Sequence, residues 1–191
     1  MTNKEKNILL VGVGGQGTIL ASKILSAALI NVGYDLKMSE IHGMSQRGGS
    51  VSTQIRYGDK VFSPVIGLGE ADIIVAFEKM EALRWVSWLK AGGKMVINEF
   101  EIPSAPILMG AKEYPKKIIE TLAEKVDISL IKAADIAAGL GNPRVMNVVL
   151  LGALAKALDI EAVDWDEMIR TNVKKGFEEL NIKAFHAGHD I

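Results

Sequence analysis

Asn7-Ile8-Leu9-Leu10-Val11-Gly12-Val13-Gly14-Gly15-Gln16-Gly17 is the stretch that decides the fold. Its first five residues form a short, continuous apolar run, the pattern of a parallel strand buried on both faces. Glycines then break the run, and the spacing predicts a helix over residues 18–32. Leu20, Ile24 and Ala28, flanked by Leu25 and Leu29, make its apolar stripe. Gly33 sits where a helix commonly ends in a left-handed residue. Residues 36–41 read as a second strand, giving a βαβ unit at the front of the chain.

Downstream, residues 51–57 alternate in polarity like a half-exposed strand. Gly58-Asp59 would turn that strand into residues 60–63, an inserted hairpin. Residues 72–77 read as a buried strand, followed by a helix to about residue 89 and, after Gly92-Gly93, by a strand over 94–98. A helix over 115–125 and a strand over 128–132 complete the alternation, and the remainder is mostly helical. Without repeats or linkers, residues 1–191 are expected to form a single α/β domain. Its sheet is expected to be doubly wound, mainly parallel and Rossmann-like, with a helical C-terminal part. The core is placed at about residues 7–185, with 186–191 as a mobile tail carrying His186 and His189.

Composition narrows the chemistry. Twenty-two basic residues against 23 acidic ones leave a net charge of −1, which favours neither nucleic acid nor an anionic membrane as partner. No apolar run approaches the length of a membrane span, and residues 1–7 do not read as a secretory signal, so a cytoplasmic protein is expected. The 191 residues include no cysteine, so this chain's own thiolates cannot hold an iron–sulfur cluster. Three histidines, His42, His186 and His189, are too scattered for a zinc site, and no metal ligand set is expected. Demanding redox chemistry must come from a bound cofactor or another subunit.

Gly12, Gly14 and Gly17 have the G-x-G-x-x-G spacing between a strand and a helix, the context in which backbone N–H groups meet an anion. Gly15 and Gln16 lie inside that turn and join it as candidates. The plainer alternative is that these glycines only let helix and sheet pack closely. A P-loop is excluded because Thr18 follows Gly17 with no lysine. A dinucleotide site stays open, with Glu40 placed to hold a ribose. The second unusual stretch runs His42-Gly43-Met44-Ser45-Gln46-Arg47-Gly48-Gly49 at the exit of the second strand. Such loops face the ligand crevice of a doubly wound sheet. Arg47 beside two glycines could offer a guanidinium fork and bare donors to a phosphate or carboxylate.

Together the glycine turn and Arg47-Gly48-Gly49 resemble the gamma-type domain of pyruvate and related 2-oxoacid:ferredoxin oxidoreductases. The longer motif from His42 to Gly49 is similar to the indolepyruvate branch, where this domain is the small (beta) subunit. The likeness continues through Ser63-Pro64, Glu70-Ala71-Asp72, residues 78–84, Gly92-Gly93 and the stretch from Gly141 to Asn147. It implies a non-redox subunit, inactive alone, in a complex that oxidatively decarboxylates aryl pyruvates such as indolepyruvate. Coenzyme A and ferredoxin would be the co-substrates, yielding aryl-acetyl-CoA, carbon dioxide and reduced ferredoxin. It further implies a large (alpha) partner subunit carrying thiamine diphosphate, magnesium and iron–sulfur clusters. The absence of a Gly-Asp-Gly thiamine motif from this chain agrees. A coenzyme A contact by the turn and Arg47 is the role left for it, with no catalytic residue of its own. Still open are the gamma subunit of a pyruvate or other 2-oxoacid enzyme, a stand-alone NAD-binding Rossmann protein, and a pure assembly scaffold.

Asn142-Pro143 reads as a helix start, and residues 145–158 are apolar on nearly every face, as deep burial requires. Gly152 and the neighbouring alanines would allow close backbone approach. The resemblance makes Asn142 and Asn147 modest site candidates beside the plainer reading of local structural bonds. Trp85, Trp88 and Trp165 are better read as core or interface than as an indole pocket. Residues 170–179 read as a solvated helix face.

Overall fold

In a computed structural model, which describes residues 5–42 and 48–191, a six-stranded sheet carries helices on both faces. The first strand, β1 (Lys6–Val13), leads through the glycine turn into α1 (Thr18–Asn31). The next strands are β2 (Asp35–His42) and β3 (Ser50–Gly58). The chain continues through β4 (Ala71–Ala76), α2 (Lys79–Trp85), a 3-10 turn at Val86–Trp88 and β5 (Leu89–Asn98). Two short helices follow, α3 (Ala105–Leu108) and α4 (Ile118–Ala123), then β6 (Asp127–Ile131) and α5 (Ala133–Gly139). The C-terminal part comprises α6 (Met146–Leu158), α7 (Trp165–Asn172) and α8 (Glu178–His189).

Strand order is β2-β3-β1-β4-β5-β6. β1, β4, β5 and β6 pair in parallel, while β3 runs antiparallel to both β1 and β2. The mainly parallel, doubly wound class holds. The chain leaves β1 through α1 for β2 and then β3 on one side, and β4 begins the run to β5 and β6 on the other, so the β1/β4 boundary is the topological switch point. Ligands of such sheets bind there, outside the strand C-termini.

Alternate residues of the central strands feed two cores. Ile8, Leu10, Ile73, Val75 and Val96 face the layer of α1, α5, α6 and α8, whereas Leu9, Val11, Ile74, Met95 and Ile97 face α2 and α4. Each fully buried aliphatic side chain contributes about 1.5–3 kcal/mol.

The structure changes several boundaries. The antiparallel hairpin is β2–β3, not a partner strand over residues 60–63, which are irregular. Its second strand lies in the sheet interior, and Ser52, Thr53 and Gln54 are buried with the apolar residues. The helix expected to reach residue 89 ends at Trp85, and α4 is shorter than residues 115–125. β5 starts earlier, at Leu89, with an irregular register between Ala71 and Ile73 of its neighbour. Residues 170–179 straddle the α7–α8 junction, where Arg170 and Glu179 pair at 3.2 Å. Nor are 186–191 a loose tail. His186 Nε2 lies 2.8 Å from Asp166 Oδ1, and Gly188 is buried against α6. Trp85 and Trp88 pack on the second core, and Trp165 stacks on Phe185 with ring centres 5.1 Å apart. No helix among the described residues is long and apolar enough to cross a membrane.

Candidate functional site

At the switch point the chain leaves β1 in a tight turn. Gln16 folds back into it: Oε1 accepts from the Val13 N–H at 2.7 Å, and Nε2 donates to the Phe77 carbonyl at 2.8 Å. That amide ties the end of β1 to the end of β4. Gln16, expected as a ligand contact, holds a backbone group with each end of its amide. Gly12 has a packing reason, since a Cβ there would meet Gln16 Oε1 at 2.9 Å and Phe77 Cβ at 3.0 Å.

Gly17 caps α1 in a left-handed conformation, without a side-chain cap. Among the described residues no acceptor meets the N–H groups of Gly15, Gly17, Thr18 or Ile19. No acidic side chain lies in the first turn of α1, so the positive end of the helix dipole is not neutralised there. Gly15 has open space where a Cβ would stand. These features suit the close approach of an anionic group.

The two glycine-rich stretches meet. Gly14 donates its N–H to the Gly49 carbonyl at 2.9 Å, and the Gly48 N–H lies 3.5 Å from the Gly14 carbonyl. Gly14 is thereby removed from the list of free donors. His42 ends β2 opposite Val51, which places its backbone at the same sheet edge. Ser45, Gln46 and Arg47 lie outside the described residues. Asn147 reaches the site from the first turn of α6, where Nδ2 donates to the Gly17 carbonyl at 3.0 Å. Asn142 does not: its Oδ1 accepts from the Arg144 N–H at 3.0 Å, a local cap of the 3-10 turn at Pro143–Val145.

Several polar residues at this edge escaped the sequence reading. Asn98, fully buried, donates to the Phe77 carbonyl at 3.1 Å and accepts from the Ala133 N–H at 3.1 Å. Glu78, also fully buried, caps α2 by accepting from the Glu81 N–H at 2.9 Å. It accepts as well from the Ile102 N–H and the Tyr114 hydroxyl. Burial, reinforced by Glu78 as acceptor, pushes the Tyr114 phenol pKa well above its ordinary value. Glu81 takes the Ser50 hydroxyl at 2.5 Å. The available signal was a single polar residue closing an apolar run, as in Val75-Ala76-Phe77-Glu78 and Val96-Ile97-Asn98.

The dinucleotide alternative loses its geometry. A ribose-binding acid belongs on the strand beside β1, but β3 occupies that place and puts Glu40 two strand intervals, about 9.6 Å, away. Glu40 Oε1 accepts from Ser22 of α1 at 3.1 Å.

Known proteins give the same picture. Residues 7–191 match the model of the pyruvate ferredoxin/flavodoxin oxidoreductase family. The chain is 38% identical to indolepyruvate oxidoreductase subunit IorB of Pyrococcus horikoshii, with 97% of this chain and 95% of that one covered. It is likewise 38% identical to the subunit of that name in Thermococcus kodakarensis, covering 97% and 95%. In fold it is similar to a 2-oxoglutarate:ferredoxin oxidoreductase of Magnetococcus marinus solved with 2-oxoglutarate, coenzyme A and succinyl-CoA. That likeness has a TM-score of 0.74 at 20% identity, over 98% of this chain and 31% of that one. With its glycine turn, its second loop and nearly its whole length accounted for, the chain belongs to the pyruvate ferredoxin/flavodoxin oxidoreductase family.

Proposed function

We propose that this chain is the non-redox subunit of an indolepyruvate oxidoreductase, and that its task is to hold coenzyme A at the switch-point edge. The observation that carries the proposal is the Gly14–Gly49 contact at 2.9 Å, which joins both glycine-rich motifs around an uncapped helix N-terminus in a chain without cysteine. Identity of 38% to two indolepyruvate oxidoreductase subunits supports the substrate class.

The division of labour follows from the side chains available. A cysteine-free chain lacks thiolates for an iron–sulfur cluster, so a larger partner subunit is assigned thiamine diphosphate with its magnesium, and the clusters. Those groups supply decarboxylation of the 2-oxoacid and electron transfer to ferredoxin. This chain supplies recognition of the acyl acceptor. The N–H groups of Gly15, Gly17, Thr18 and Ile19, which meet no acceptor among the described residues, bind the pyrophosphate oxygens of coenzyme A, and Arg47 adds its guanidinium. Held there, the thiol end is presented to the acyl group formed on the partner. His42, Ser45, Gln46, Gly48 and Gly49 shape the second wall of this site. The complex is a cytoplasmic hetero-oligomer.

Co-expression with the large subunit tests the assignment. Indolepyruvate- and coenzyme A-dependent reduction of ferredoxin or a viologen dye is expected only when both chains are present. It should exceed the rate with pyruvate or 2-oxoglutarate. Arg47→Ala should raise the KM for coenzyme A about tenfold, the scale of one lost charge-assisted hydrogen bond. Turnover by either chain alone, or a KM unmoved by Arg47→Ala, would overturn the assignment.

A further inference from the structure

The first turn of α2 carries a second buried carboxylate that the proposed chemistry does not use. Glu81 is 3% exposed. Its Oε2 accepts from the Ser50 hydroxyl at 2.5 Å and from Trp85 Nε1 at 3.3 Å, and its Oε1 accepts from Arg84 Nε at 3.0 Å. Three donors keep the buried charge satisfied. Two of them, Arg84 and Trp85, belong to α2 itself. Ser50 is different: it opens β3, pairs with Val13 at the end of β1, and directly follows Gly49.

We infer that Glu81 is a positioning residue for coenzyme A binding, acting through Ser50. The carboxylate pins the start of β3, and with it the Gly49 carbonyl that receives the Gly14 N–H. That fixes the distance between the two glycine-rich walls. Helix α2 does not need the Glu81 carboxylate as its cap, because Glu78 already fills that place. Glu81 is therefore best explained by what it holds across the crevice. The inference rests on the coenzyme A reading above and adds a residue whose effect is indirect.

Ser50→Ala removes one hydroxyl and leaves the carboxylate with Arg84 and Trp85. In the reconstituted two-subunit complex it should raise the KM for coenzyme A about tenfold, while the KM for indolepyruvate stays unchanged. Ser50→Thr, which keeps the hydroxyl, should restore the value. Glu81→Ala should match Ser50→Ala, and the double variant should be no worse than Glu81→Ala alone, because both act along one path. In the free subunit, amide hydrogen exchange at Gly14 should accelerate in Ser50→Ala and return to normal in Ser50→Thr. If Glu81→Ala does not fold, the two Ser50 variants decide the matter. Unchanged coenzyme A KM in Ser50→Ala, alongside a raised one in Arg47→Ala, would overturn the clamp and leave the site standing. Unchanged values in both would overturn the site and the clamp with it. Unaltered Gly14 exchange would overturn the clamp without reference to any ligand.

Discussion

Asn147 Nδ2 donates to the Gly17 carbonyl at 3.0 Å, joining the first turn of α6 to the cap of α1. The same carbonyl accepts from the Leu20 and Ala21 N–H groups, so the cap of α1 is held from two helices. Asn147→Ala should cost about 1–2 kcal/mol, and Asn147→Asp more, since a carboxylate would then face a carbonyl. A Cβ on Gly17 would lie 2.5 Å from Asn147 Nδ2, in a backbone region at φ +80° that other residues rarely adopt. Gly17→Ala should therefore be less damaging in the Asn147→Ala background than alone. Urea unfolding of the four proteins measures this coupling, and additive losses would contradict it.

Helices α6 and α8 cross through glycines. A Cβ at Gly152 would sit 2.0 Å from the Phe185 carbonyl oxygen, and one at Gly188 would sit 1.9 Å from that of Val149. Both obstacles are backbone, so the helices would have to separate. Gly188→Ala should lose at least about 3 kcal/mol, seen as a lower urea midpoint. A loss below about 1 kcal/mol would mean that α8 is not seated on α6 as described.

How far the sequence could be read depends on the range of the forces involved. β1, α1 and the glycine turn are local objects, and an apolar run, a helical stripe and Gly33 located them within a residue or two. The place of β3 is not local. Ser52 and Gln54 look solvent-facing in sequence, alternating with Val51, Thr53 and Ile55, yet they too are buried, and Gln54 Oε1 is satisfied by the Ile66 N–H at 2.7 Å from the segment that follows β3. Asn147 was legible as a polar residue in an apolar helix needing a partner. That the partner is Gly17 could not be read from spacing across 130 residues. At Gln16 the position within the motif suggested a ligand contact, and the backbone bonds its amide makes to Val13 and Phe77 could not be read from spacing.

Gln16 offers a direct test of its structural role. Gln16→Glu keeps an oxygen for the Val13 N–H but sets a second oxygen toward the Phe77 carbonyl, where Nε2 now donates at 2.8 Å. It should destabilise the subunit by about 2–3 kcal/mol, and Gln16→Ala by about 2 kcal/mol. A residue serving only the ligand would leave the urea midpoint alone and move the coenzyme A KM.

The Tyr114–Glu78 pair makes the stability of the fold depend on pH in the alkaline range. Burial, then the hydrogen bond to Glu78, raises the Tyr114 pKa in the folded state; burial likewise raises that of Tyr57. In the unfolded chain both phenols titrate near the ordinary value of about 10. The folded state thus holds more protons above that pH, and stability must fall as pH rises further. Below it, the contribution of these groups is fully present and independent of pH. Tyr114→Phe removes one of the two titrating phenols and should flatten the loss of stability between about pH 9 and pH 11. It also deprives Glu78 of one donor, leaving the Glu81 and Ile102 N–H groups, so the variant should start from a lower stability at neutral pH. Urea midpoints recorded across that range should give curves that converge toward high pH. Parallel curves would show that Tyr114 is not held protonated by its surroundings.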